Sequence, residues 1–169
     1  MKDESPTALP DKISRTTGKA AAWMTLFMVI VTFVIVVMRY VFDAGLIWLQ
    51  ESVIWMHAVV FMMGAAYTLQ QEDHVRVDVF YRTMSARRRA WVDLLGVILF
   101  LLPLCVFLGW KSFDFVAVSW GLHESSRESG GLPYPLIPML KTVLLLMPIG
   151  VALQGSSLLL RSLKTLRQA

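Results

Sequence analysis

Four stretches of this chain carry no Asp, Glu, Lys or Arg: residues 20–38, 52–69, 94–110 and 142–160. A helix needs about 20 apolar residues to cross a hydrocarbon core of about 30 Å. Four such runs within 169 residues leave little else for the chain to be. Backbone polar groups in lipid must be satisfied within the segment, so each run is expected to be helical. Composition agrees: 56% of residues are hydrophobic and mean hydropathy is +0.60, above the usual share for a soluble domain. The expected fold is an all-α membrane protein of four transmembrane helices, with spans at about 20–42, 47–70, 91–118 and 138–162. Pro103 and Pro148 stand inside spans three and four and can kink them.

Residues 1–19 form a polar leader containing Pro6 and Pro10, read as a mobile cytoplasmic tail. The apolar run behind it is longer than a signal-peptide core. It is read as a retained first span, so residues 20–169 make one four-helix domain.

Lys and Arg set the orientation. Twelve lie in the leader, the segment after span two and the C-terminal tail. Four (Arg39, Lys111, Arg127 and Lys141) lie on the opposite side, making up the sixteen in the chain. Both termini are therefore expected in the cytoplasm, with Arg87, Arg88 and Arg89 as topology determinants. The net charge of +4 is read as orientation and lipid contact, and no nucleic-acid partner is expected. Between spans two and three, Val77, Phe80, Tyr81 and Met84 recur at helical spacing, which predicts a short interfacial helix. Ser85 is placed to cap the helix leading into span three. Arg89 and Asp93, four apart, can pair there.

Little in the chain points to catalysis. Cys105 is the lone cysteine, and no Cys/His spacing of the metal-binding kind occurs. No Gly-rich phosphate loop follows a strand pattern. The carboxylates sit at span ends or in loops, whereas an ion-coupled pump is expected to carry them near the midplane. The chain is therefore read as no enzyme, with no cofactor of its own. His57 is the one titratable group within a run. It reads either as a neutral histidine facing a partner helix or as a proton site in an autonomous small proton-coupled carrier. Arg39 can pair with Asp43 or, across the first hairpin, with Glu51. The outer loop from Ser119 to Lys141 is rich in Gly and Pro, which excludes a plain helix. Its His123–Glu128 segment can hold a small anion, dock a protein or satisfy the loop's own backbone.

Four stretches together resemble a known family: "RYVFDAGLIWLQES" with Arg39, Trp48 and Glu51; "GAAYTLQQEDHVRVDVFY" with Gly64, His74, Arg76 and Asp78; "SWGLHESSRESGGLP" with Glu124, Ser126, Gly131 and Pro133; and "KTVLLLMPIGVALQG" with Lys141, Pro148 and Gln154. In this order they resemble the small membrane subunit (DctQ-type) of tripartite ATP-independent periplasmic (TRAP) transporters. One departure is that Gln50 precedes Glu51, where the family often has two adjacent acids. The resemblance implies a multi-pass protein of the bacterial inner membrane. It implies a fixed scaffold beside a large elevator-type subunit that carries the substrate and Na⁺ sites. A periplasmic binding protein would deliver an organic acid for uptake by symport. On this reading Arg39, Trp48, Glu51, Gly64, His74, Arg76, Asp78 and Lys141 are interface or structural residues. Glu124, Ser126, Arg127, Gly131 and Pro133 are candidates for docking the binding protein.

Overall fold

A computed structural model describes residues 8–71, 81 and 83–168 of the chain. All its regular elements among these residues are helical. They are α1 (Ala8–Val41), α2 (Ile47–Gln70), α3 (Ala86–Gly96), a π-helical turn (Val97–Leu101), α4 (Leu102–Gly121) and α5 (Leu136–Gln168). The third span is the continuous run Ala86–Gly121, so four helices are long and apolar enough to cross a membrane. The expected interfacial helix falls mostly on residues outside those described, as do His74, Arg76 and Asp78.

From Ala8 on, the leader is helical and not the expected mobile tail. α1 begins at Ala8 and runs for 34 residues, about 50 Å at 1.5 Å per residue. It therefore overshoots the hydrocarbon core, and Asp11, Ser14 and Gly18 pack against the other helices. Polar residues on α1 are compatible with lipid because their hydroxyls fold back on the helix. Thr25 Oγ1 donates to Ala21 O at 3.0 Å and Thr32 Oγ1 to Met28 O at 2.8 Å.

In the third span the disturbance lies just before Pro103. A proline lacks the N–H and crowds the carbonyl four residues earlier. The chain widens there into the π turn, where Leu102 N–H bonds to Val97 O. The widened turn faces Gly155 of α5: a Cβ at Gly155 would come within 2.6 Å of Leu101 Cδ2. In α5, Pro148 is buried inside an unbroken helix.

The helices stand in a row and do not close into a four-cornered bundle. α1 packs on α2, α2 on α5, and α5 on the third span; α5 also reaches α1 near its N-terminal end. Small residues permit the close approaches. Ala66 of α2 lies against Gly150 of α5, and Gly18 of α1 lies beneath the Tyr67 ring. Among the described residues, Val31, Ala66, Leu69, Val97, Val143 and a few other apolar side chains are buried, while residues such as Phe61, Phe100 and Val106 stand well exposed. Two broad apolar faces of this kind suit lipid or a membrane partner.

Candidate functional site: two polar clamps

The polar side chains gather at opposite ends of the row. At the end holding the α1–α2 hairpin and the outer loop, Glu51 is the centre. It sits early in α2, just past its first turn. Its Oε1 accepts a hydrogen bond from Ser126 Oγ, and its Oε2 accepts one from Leu132 N–H at 2.6 Å. Ser126 N–H bonds in turn to Leu132 O at 2.9 Å, and Glu128 N–H donates to Ser126 Oγ at 3.1 Å. Gly131 closes the clasp. A Cβ there would lie 2.3 Å from Ser126 Oγ and 2.7 Å from Glu51 Oε2, so only glycine lets the loop fold over the carboxylate. One turn along α2, Trp55 Nε1–H donates to Leu136 O at 3.0 Å. Together these bonds fix α2 to the loop and to the start of α5.

A second cluster joins the third span to α5 at the same end. Ser119 Oγ donates to Glu124 Oε2 at 2.6 Å, and Lys141 forms an ion pair with the same oxygen. The Lys141 hydrogen bond, helped by Ser119, holds the Glu124 carboxyl below the ordinary carboxylate range. Lys141 also lies over the Phe115 ring, 4.2 Å from its centroid. Trp120 Nε1–H donates to Thr142 Oγ1 at 2.9 Å. The Tyr134 ring packs against both Trp120 and His123. His123 takes a positive φ of 50° at the turn out of α4.

The other end carries a clamp built from the leader. Asp11 Oδ1 accepts from Gln154 Nε2 at 3.1 Å and Ser157 Oγ at 3.2 Å, and Oδ2 pairs with Arg161. The Asp11 carbonyl accepts from Gln70 Nε2 at 2.8 Å. Ser14 Oγ donates to Gln154 Oε1 at 3.1 Å. Ser14, Gln154 and Ser157 are buried, so α1, α2 and α5 are joined by groups that need each other. Residue spacing carries a signal for this. Asp11, Ser14 and Gly18 fall at i, i+3 and i+7, and so do Gln154, Ser157 and Arg161. Each set is one helical stripe.

The sequence-derived residues thus divide. Glu51, Ser126, Gly131, Glu124 and Lys141 meet in the two outer clusters. Arg127 and Pro133 stand exposed on the same loop, and Trp48 is half exposed near the hairpin. Arg39 is exposed and joins neither partner considered for it, because the Glu51 carboxylate is taken up by Ser126 and Leu132. Asp43 instead occupies the hairpin turn at φ 52°, where Ala44 N–H returns to Met38 O at 2.9 Å. Gly64 faces open space, whereas its neighbour Ala66 packs inside the row. Arg87 and Arg88 are exposed at the start of α3. Arg89 lies beside them, its guanidinium 5.5 Å from the Tyr81 ring centroid and its Nε donating to Met84 O. Tyr81 OH donates to Asp93 at 2.8 Å. Ser85 occupies the cap position of α3, though its side chain makes no capping bond. His57 is exposed on α2 and stacks on Phe61. Among the described residues, no three of His, Cys, Asp and Glu come together.

Known proteins give this geometry a context. The family described as "Tripartite ATP-independent periplasmic transporters, DctQ component" matches residues 28–168. A relative named "C4-dicarboxylate TRAP transporter small permease protein DctQ", from Vibrio cholerae serotype O1, is 33% identical over 70 residues. That alignment covers 41% of this chain and 30% of the relative's length. No solved structure matches the chain. The family match takes in three of the four spans whole and the C-terminal part of α1 from Met28 on, with both outer clusters and the Gln154–Arg161 side of the inner clamp. The chain belongs to the DctQ component family of tripartite ATP-independent periplasmic transporters and is a multi-pass protein of the bacterial inner membrane.

Proposed function

We propose that this chain is the non-catalytic small permease subunit of a sodium-coupled, binding-protein-dependent TRAP transporter for organic acids. Its task is to be a fixed scaffold beside a large subunit that moves substrate and Na⁺. The observation that carries this reading is the pair of clamps. Glu51 and Glu124 fasten the row at one end, and Asp11 fastens it at the other. A carrier domain that slides through the membrane needs a neighbour that resists sliding with it, and helices tied at both ends provide one. Wide apolar faces on the row leave room for that neighbour.

The arginine-rich end is assigned to the cytoplasm by its excess of Lys and Arg. The outer loop then faces the periplasm. There the Glu124 and Ser126 bonds shape a rigid surface that presents Arg127 and Glu128 to the binding protein. The name of the Vibrio cholerae relative makes a C4-dicarboxylate one candidate cargo.

Reconstitution tests the proposal. Proteoliposomes containing the large subunit, this chain and the binding protein should take up substrate under a Na⁺ gradient, and omission of this chain should abolish uptake. Full uptake without it would overturn the scaffold role. Uptake by this chain alone, lost on His57→Ala, would establish an autonomous carrier instead.

A further inference from the structure

Two apolar grooves on the row differ in chemistry. One, between α2, the third span and α5, is lined by Ala65, Gly96, Phe100, Leu104, Cys105 and Val151. Lipid tails satisfy such a surface. The other, between α1 and α2, is lined by Met28, Val29, Thr32, Val53, Ile54 and His57. His57 lies ten residues into α2, about 15 Å from its start and close to mid-membrane. Its imidazole always presents at least one N–H, yet among the described residues it has no hydrogen-bond partner, only the ring contact with Phe61. The Thr32 hydroxyl donates to Met28 O and makes no hydrogen bond to His57.

The same stripe of α1 carries a second unmet group. Arg39 follows Thr32 by seven residues, which brings it back to within about 20° on the helix and about 10 Å nearer the hairpin. It too has no ion pair or hydrogen bond among the described residues. Hydrocarbon offers nothing to an imidazole, and intramembrane ionisable groups are seldom left unpaired.

We propose that the α1–α2 groove is the seat of the large membrane subunit. The occupant is one of its transmembrane helices, with a hydrogen-bonding side chain level with His57. About two turns away, toward the hairpin end, that helix carries a carboxylate for Arg39. This rests on the reading of the chain as a small subunit beside a large one, and it names the face that meets the partner.

The test uses the co-expressed complex in membranes. A photo-crosslinking amino acid is placed at Val29 or Ile54 on this face, or at Leu104 or Phe107 on the third span. All four positions are similarly exposed in the isolated chain. Val29 and Ile54 should trap the large subunit, and the other two should label lipid. In parallel, His57→Leu should lower the large subunit retained on affinity purification about threefold. His57→Gln should restore most of it, as should Arg39→Lys relative to Arg39→Leu. Trapping of the large subunit only from Leu104 and Phe107 would overturn the chosen face while leaving the scaffold reading intact. Trapping of a second copy of this chain from Val29 and Ile54 would overturn the choice of occupant. Lipid labelling at all four positions, with no co-purification, would overturn both readings.

Discussion

Asp11 and Arg161 are 150 positions apart and ion-paired, so the start of α1 is fastened to the end of α5. The carboxylate does more than the guanidinium. It also serves Gln154 and Ser157, which are 2% and 1% exposed. Asp11→Ala strands both donors, and a stranded buried polar group costs about 1–3 kcal/mol. The Arg161 side chain is 42% exposed, so Arg161→Ala should cost no more than about 1 kcal/mol. Thermal unfolding of the purified chain in detergent checks this. Asp11→Ala should lower Tm clearly more than Arg161→Ala, and added salt should blunt only the Arg161 component. Equal, salt-sensitive losses would mean that the ion pair alone holds the clamp.

Gly131 makes a sharper claim, because the space for its side chain is already filled by Ser126 and Glu51. Gly131→Ala must open the clasp, at about 1–3 kcal/mol for overpacking. Gly109 in α4 is the control, since a Cβ there meets nothing within 4 Å. Gly109→Ala should leave Tm unchanged or raise it, because alanine is the better helix former. A shared loss of Tm in both variants would remove the special role of the clasp.

The Glu124 carboxyl is held below the ordinary carboxylate range by Lys141 and Ser119. A carboxyl whose folded-state pKa is depressed binds its proton more readily when unfolded, so stability falls with acid. The contribution is complete above the ordinary glutamate value of about 4.3 and is lost as pH drops through the lower folded value. Tm measured from pH 7 down to pH 3 should therefore fall less steeply in Glu124→Gln than in the wild type. Parallel curves would show that the pair does not tie the loop to α5 in solution.

The exposed Arg87 and Arg88, with Arg89 beside them, mark one side of the membrane by charge alone. Replacing all three by Glu should invert or impair insertion of the third span. The readout is labelling of Gln168→Cys in a Cys105→Ser background by a membrane-impermeant reagent in intact cells and in inverted vesicles. The parent should be labelled only in vesicles, whereas the triple variant should gain labelling in cells or lose expression.

Long apolar runs are legible because lipid dictates them residue by residue, and all four spans follow from charge-free length alone. The clasp around Glu51 was half legible. Gly131 and Glu51 stand out as residues, but their meeting joins segments 80 positions apart through a backbone N–H that has no side-chain signature. The departure at Gln50 is consistent with this geometry, since Glu51 alone accepts both bonds. The inner clamp was missed because prolines and charges made the leader resemble a tail. Matching stripes at 11, 14, 18 and 154, 157, 161 carried the information, yet each stripe has meaning only against the other. Arg39 failed for a related reason. Sequence proximity offered Asp43 and Glu51, but the turn uses Asp43 for its backbone conformation and the loop takes Glu51.

That use of Glu51 leads to a prediction about transport. Each of its two oxygens accepts one bond, from Ser126 Oγ and from Leu132 N–H. Leucine has a similar size and accepts from neither donor. Glu51→Leu should therefore release the loop from α2 while α2 itself stays helical. The Arg127–Glu128 surface would lose its fixed position. The expected result is a several-fold rise in the binding-protein concentration needed for half-maximal uptake, with normal amounts of the membrane complex. Arg127→Glu should raise that concentration without changing Tm, because its side chain is exposed. If both variants take up substrate as the wild type does, the loop is a structural clasp and the binding protein docks elsewhere.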